Sequence, residues 1–269
     1  MTRVLAALDA SLAARPVLTV ANDIARLLDA DVEAVHVTVD GARSVAAAAD
    51  AAGVPLSTVA GPVVEALAAQ AAAPDVAALV IGARGTPGGK PLGHTALAIA
   101  VSLARPVVIV PPNGAPRPLR RLLVPLEGTL ATTHAPRWVV ELARDAALDV
   151  ILLHVLDEAS LPAFTDQPQH EAEAWSREFL ARYCPGGIDD IRLVVRVGRI
   201  EEQVLAAVDE LRADVVALGW AQQLEPGRAP VVRALLERGH VPVILMPVHA
   251  GHPVREEAQP SNALHLSHA

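Results

Sequence analysis

Short apolar runs alternate with amphipathic segments along the first 110 residues of the chain. The runs are continuously apolar, which is typical of strands buried on both faces of a parallel sheet. The segments between them repeat apolar residues with helical spacing. The pattern predicts strands at residues 4–8, 32–39, 55–60, 77–81 and 106–110, and helices at 14–29, 44–52, 62–73 and 95–104.

The same order of elements recurs in the second half of the chain. Leu5 and His36 are matched by Leu123 and His154, 118 positions later. Further along, Gly82 matches Gly219, and a Pro-Val pair opens the last strand of each copy. Sequence self-similarity in a fixed order indicates two copies of one supersecondary unit. We therefore predict an α/β fold of two tandem, doubly wound, five-stranded parallel-sheet domains with Rossmann-like topology, which form a pseudo-dimer within one chain.

Proline and histidine content marks the limits of the two copies. Residues 112–118 are rich in proline, which forbids a helix or a central strand there. The expected organisation is a first domain at 1–111, a linker at 112–118, a second domain at 119–248 and a disordered tail at 249–269. The alternative for the tail is metal capture by four residues, namely His249, His252, His265 and His268.

Composition removes several classes of protein. The net charge of −8 argues against a generic nucleic-acid binder. The single cysteine, Cys184, excludes an intrachain disulfide framework and cysteine-rich zinc modules. No apolar stretch is long enough to cross a membrane. We therefore expect a cytoplasmic protein that needs neither a membrane nor nucleic acid as its partner.

Candidate chemistry lies where the first and fourth strands of the first copy end. Asp9 follows the first strand, while Gly82, Arg84 and Gly85 follow the fourth. Gly93, His94 and Thr95 then open a helix. Glycines let backbone N–H groups approach an anion closely, and a helix N-terminus adds a partial positive charge. This arrangement is a candidate phosphate cradle, although glycine-rich loops also occur without a ligand.

In the order and spacing of these motifs the chain resembles the universal stress protein family. The resemblance rests on Leu8-Asp9, His36-Val37, the Val80-Ile81-Gly82 strand end, Gly85, Gly93 and the segment 106–111, and it extends over roughly residues 1–248. It implies ATP or AMP as the ligand, with the need for Mg²⁺ left open. It also implies that an apolar edge strand pairs with its counterpart in the other copy, here 107–110 with 243–246.

The resemblance assigns roles to nine residues of the first copy. Ala7 and Asp9 would line the nucleoside side, and Val37 would offer backbone atoms to adenine. Ribose and phosphates would be surrounded by Gly82, Arg84, Gly85, Gly93, His94 and Thr95. The segment between Gly85 and Gly93 is shorter than in the family pattern, and His94 stands where a serine is usual. His94 therefore either meets a phosphate or faces solvent.

The second copy has lost parts of this pattern. Glu127 replaces Asp9, Gln222 replaces Gly85 and Ala229 replaces Gly93. The added side-chain atoms would occupy space that phosphate oxygens need. We expect the second copy to keep the fold without the nucleotide, with Trp220 either plugging the vacated site or packing as an ordinary core residue.

No catalytic motif emerges from the sequence. His36 and His154 recur at the same fold position, and we interpret both as structural histidines. The first hypothesis for function is a regulatory protein that binds ATP or AMP in its first domain, in stress response or signalling, with at most slow hydrolysis. The alternative is a nucleotide-free, pseudo-dimeric interaction module that docks a protein partner. A third hypothesis, a dedicated adenine-nucleotide hydrolase, lacks an identifiable general base.

Overall fold

The computed structural model describes residues 2–11, 13–38, 42–83, 93–112, 117–126, 148–156, 191–223 and 229–248. The described strands number ten, five from each half. In the first half they are Arg3–Ala7 (β1), Asp31–Val37 (β2), Leu56–Val59 (β3), Val76–Gly82 (β4) and Val107–Val110 (β5). In the second half they are Arg121–Leu126 (β6), Asp149–Leu156 (β7), Ile191–Val197 (β8), Val215–Trp220 (β9) and Val243–Pro247 (β10).

The described helices belong to the connections between these strands. They are Ala14–Leu28 (α1), Ala42–Ala52 (α2), Val63–Ala71 (α3), His94–Ser102 (α4), Ile200–Glu210 (α5) and Pro230–Arg238 (α6). Helix α1 ends one residue before its predicted limit, because Asp29 turns into the left-handed region at φ 48°. The proline-rich segment 113–116 and the tail 249–269 lie outside the described residues.

All ten strands form one sheet in the order β3-β2-β1-β4-β5-β10-β9-β6-β7-β8. Within each half the neighbouring strands run parallel. The halves meet where β5 pairs antiparallel with β10, with Val107 opposite Leu245 and Ile109 opposite Val243. The predicted fold class and the predicted pairing of the last strands are confirmed.

The core forms two layers, one on each face of the sheet. Both layers contain buried residues from both halves, such as Val108 with Ile244 on one face and Ile109 with Leu245 on the other. Strand β5 is fully buried along its length. The apolar edges that each half would otherwise expose therefore cover one another.

A side chain of the second half also holds a helix of the first. The Gln222 amide Nε2 donates to the carbonyl oxygens of Ala100, Val101 and Leu103, at 3.1, 3.0 and 2.8 Å. These carbonyls belong to the last turn of α4 and to Leu103, the residue that follows it, where helix carbonyls lack partners within the helix. Gln222 adopts a left-handed backbone with φ 57°, a conformation that costs a non-glycine residue energy. We call this contact the α4 clasp.

Removing the α4 clasp should reduce stability. Gln222→Ala should lower the free energy of unfolding by about 1–2 kcal/mol, because three carbonyls lose a shared donor. Gln222→Gly should lower the free energy of unfolding by less, since glycine adopts the left-handed backbone conformation without strain. Urea denaturation followed by circular dichroism measures both, with Gln223→Ala at the exposed neighbouring position as the control. Equal stability of Gln222→Ala and the natural chain would contradict a stabilising clasp.

Helix α1 contains a buried carboxyl group. Asp23 is only 5% exposed, and one of its oxygens accepts a hydrogen bond from the Arg26 guanidinium. Its Oδ2 has no partner among the described residues. Burial raises the pKa of Asp23 above its ordinary 3.8, whereas the charge of Arg26 and the nearby backbone N–H of Leu119 oppose that rise. At neutral pH the ionised form is therefore a cost to the folded state.

Stability should consequently fall as the pH rises through the raised pKa of Asp23. Between 3.8 and that pKa the folded chain binds more protons than the unfolded chain, so protonation favours folding there. Asp23→Asn should be more stable than the natural chain at pH 7, with the difference shrinking towards pH 4. Urea titrations of both proteins from pH 4 to 7 measure this. A stability difference that stays constant with pH would contradict the raised pKa of Asp23.

Candidate functional site

A cavity of about 270 Å³ opens at the carboxyl ends of β1, β2 and β4. Ala7, Val37 and Gly82, the last residues of these strands, all line it. The connection from β1 leads to β2 on one side, while β4 lies on the other side of β1. The cavity is therefore at the switch point of strand order, where open α/β sheets bind ligands. Its volume is near the lower end of small-molecule pockets, about 300 Å³.

Six of the nine residues assigned from the sequence lie along this cavity. They are Ala7, Asp9, Val37, Gly82, Gly93 and Thr95. His94 begins α4 but is exposed and is not among the lining residues. Of the two alternatives for His94, this placement favours the one that faces solvent. Arg84 and Gly85 lie outside the described residues, as does Glu127 of the second copy.

Asp9 is held at the mouth of the cavity by the turn that leads into α1. The Ser11 backbone N–H donates to Asp9 Oδ1 at 3.0 Å, and the Ser11 hydroxyl donates to the same oxygen. Ser11 Oγ in turn accepts the Ala13 N–H at 3.1 Å. Asp9 is exposed. Its second oxygen makes it suited to accept a hydrogen bond from a hydroxyl group of a ligand.

Ala83 and Gly93, which flank the segment 84–92, are joined to the sheet and to each other. The Ala83 N–H donates to Val110 O at 2.8 Å, and the Gly93 N–H donates to Ala83 O at 2.7 Å. The first turn of α4, which starts at His94, therefore lies beside the end of β4. Thr95, a residue with a hydroxyl group, lines the cavity from that turn.

Small side chains keep the cavity open on the α4 side. Ala83 and Ala96 line it and are buried. By the internal repeat, Ala83 corresponds to Trp220 and Ala96 to Val232. Trp220 is 4% exposed, and both Trp220 and Val232 belong to the same core layer. The equivalent positions of the second half therefore carry larger buried side chains, and the burial of Trp220 is common to the two roles considered for it, filling the vacated site and packing in the core.

His36 and His154 each tie two strands together. His36 Nδ1 donates to the carbonyl oxygen of Leu8 at 2.9 Å, and His154 Nδ1 donates to Leu126 at 3.0 Å. The structural interpretation of both histidines is thus supported. His36 also lines the cavity, which the sequence analysis did not predict.

Other cavity residues were missed as well. Small residues of the α1 turn and apolar residues of α3 complete the walls, namely Ala10, Ala13, Ala14, Val63 and Leu67. A signal for part of this wall was present in the sequence. When the two copies are aligned, small residues of the first copy correspond to bulky residues of the second, as Ala83 corresponds to Trp220.

Comparison with known proteins agrees with this fold. Residues 118–247 match the Universal stress protein family. A universal stress protein from Archaeoglobus fulgidus has a similar structure, with 16% identity, a TM-score of 0.67, and coverage of 92% of this chain and 98% of that one. A putative universal stress protein from Pseudomonas aeruginosa shows 14% identity, a TM-score of 0.65 and coverage of 92% and 93%. No curated protein matches the sequence.

A shorter structure is also similar to part of the chain. It is a universal stress protein in complex with cAMP, with 18% identity, a TM-score of 0.39, and coverage of 49% of this chain and 98% of its own.

No helix that the structure describes is both long enough and apolar enough to span a bilayer.

Proposed function

We propose that this chain binds an adenine nucleotide in the cavity of its first half. The proposal is supported by the match of residues 118–247 to the universal stress protein family, and by the tandem fold that the whole sheet shares with such proteins. The observation that carries the proposal is the cavity itself. It lies at the switch point of the first half, with walls of small residues at positions where the second half has a tryptophan and a valine.

The inner walls of the cavity and its mouth offer different chemistry to a ligand. Val37, Leu67 and Ile81 give it apolar walls suited to a planar base. Asp9 at the mouth suits a ribose hydroxyl, and Thr95 with the start of α4 suits a phosphate. ATP or AMP combines these three parts. The protein would act in the cytoplasm as a regulator in stress response, with the bound nucleotide setting its state.

The first test is whether the purified protein carries nucleotide. Denaturing the protein and separating the supernatant by ion-exchange chromatography would release any ATP or AMP that copurified. Calorimetric titration of nucleotide-free protein with ATP, with and without Mg²⁺, should give one site per chain. Two equal sites would contradict the asymmetry between the halves.

A nucleotide-free interaction module is the second candidate. It is favoured by Asp9, which brings a negative charge to the cavity mouth, where phosphates would also be negative. Under this alternative, neither ATP nor AMP binds at millimolar concentration, and the tandem fold serves to dock a protein partner.

A further inference from the structure

Helix α4 connects the contact between the two halves with the wall of the cavity. At the start of the helix, Gly93, Thr95 and Ala96 line the cavity. At its end, the Gln222 amide of the second half donates to three carbonyl oxygens in the α4 clasp, at 2.8–3.1 Å. The nine residues of α4 span roughly 13 Å at about 1.5 Å per residue. One short, stiff element therefore runs from the clasp to the site.

Apolar burial holds α4 only modestly. Its buried residues are Ala96, Ile99 and Ala100, so a single buried side chain of the helix is larger than a methyl group. The N-cap, Gly93, has no side chain that could hold the first turn. The Gly93 N–H donates to Ala83 O at 2.7 Å and ties the backbone there. The three hydrogen bonds of the clasp therefore add substantially to what keeps α4 in place.

The position of Gln222 makes this contact one-sided. By the internal repeat, Gln222 corresponds to Gly85, and a glycine has no side-chain amide that could hold α6 in the same way. Gln222 has a φ of 57°, a conformation that glycine adopts freely. The residue that replaces a cradle glycine in the second half is thus the residue that holds a helix of the cavity in the first half.

We propose that Gln222 is a positioning residue for nucleotide binding. By holding the end of α4, it sets the place of Thr95 and of the backbone N–H groups of the first turn, at the phosphate end of the cavity. The inference rests on the proposed nucleotide function. Gln222 acts without touching the ligand, because the helix transmits its hold. Binding free energies are reciprocal, so a bound nucleotide strengthens the clasp by the same factor by which the clasp strengthens binding.

Gln222→Glu is the substitution that isolates the donated hydrogen bonds. The side chain keeps its size, but a carboxylate can only accept, and it brings a negative charge to the negative end of the helix. Gln222→Lys restores donors and brings a favourable positive charge to the same place. Gln223→Glu, at the exposed neighbouring position, is the control for charge. Val204→Ala, at a buried position of α5, is the control for a general loss of stability.

Calorimetric titration with ATP should be carried out on the natural chain and on the four variants, each shown to be folded by circular dichroism. We expect Gln222→Glu to bind ATP about tenfold more weakly, within the usual range of coupling between sites. Gln222→Lys and both controls should bind ATP as the natural chain does. Unchanged affinity in Gln222→Glu, or an equal loss in either control, overturns the inference while the proposed function stands. No binding of ATP or AMP by the natural chain overturns both.

A measurement on the natural chain covers the case in which Gln222→Glu does not fold. Because the coupling is reciprocal, ATP bound at the start of α4 should tighten its end. Hydrogen–deuterium exchange followed by mass spectrometry should show slower exchange at residues 100–103 with ATP, and unchanged exchange at residues 207–210, at the end of α5. Saturation with ATP without a change at residues 100–103 would overturn the inference.

Discussion

Ala83→Trp should abolish nucleotide binding in the first half. The change installs at the end of β4 the side chain that the second half carries at the equivalent position, Trp220. Ala83 is 3% exposed and lines the cavity, so an indole there must occupy part of the cavity volume in which we propose that the nucleotide binds. We expect the ATP affinity measured by calorimetry to fall at least about 100-fold, because a blocked site forfeits most ligand contacts.

Two further variants show whether the loss is due to filling the cavity. Ala83→Trp combined with Ala96→Val reproduces the second half's residues at both positions, so the added volume has a precedent in the same fold. This double variant should bind no ATP and remain folded by circular dichroism. The reciprocal change, Trp220→Ala, should leave ATP binding intact while lowering stability by about 3–5 kcal/mol. Unimpaired ATP binding by folded Ala83→Trp would show that the nucleotide, if bound, lies elsewhere.

Leu245→Asp should unfold the whole chain or come close to it. Leu245 has no exposed surface and pairs with Val107 across the junction of the halves, which we call the seam. A carboxylate there would be buried among apolar residues of both halves. We expect the free energy of unfolding to fall by about 4 kcal/mol or more, as is typical when an unpaired charge is buried. Because each core layer runs through both halves, the loss should appear as one cooperative transition.

The control for this substitution is Val197→Asp. It places the same carboxylate on a strand of the same sheet, but at a side chain that is 46% exposed. Its stability should stay within about 0.5 kcal/mol of the natural chain. If Leu245→Asp melted in two separate steps, with the first half retaining its own transition, the two halves would be independent folding units and the seam would be a weak contact.

Much of the fold was predictable because its strands are buried on both faces. Residues 107–110 and 76–82 form apolar runs too short and too rich in valine for helices, and the apolar edge expected at 107–110 and 243–246 predicted the seam. The α4 clasp was not predictable. The sequence showed that Gln222 had replaced a glycine, but its new partners lie about 120 residues away and depend on how the halves meet.

The site was predictable where it depends on strand ends and not where it depends on packing. Asp9 and Gly82 follow from the topology, because parallel strands end at one edge of the sheet, whereas Val37 was assigned from the family resemblance. His36 looked like a core residue, since nothing in the sequence reveals that one ring nitrogen is used and the other is left unpaired. His94 was assigned by its place in a motif, but the first turn of α4 leaves it exposed.

The seam also changes how this protein can evolve. In a symmetric dimer of identical subunits, every substitution appears in both sites at once. Here both partners of the β5–β10 pair are encoded in one chain, so a tryptophan can enter one half without closing the cavity of the other. The covalent link also makes the partner's local concentration independent of expression level. One half could thereby carry bulky side chains at its strand ends while the other kept its cavity.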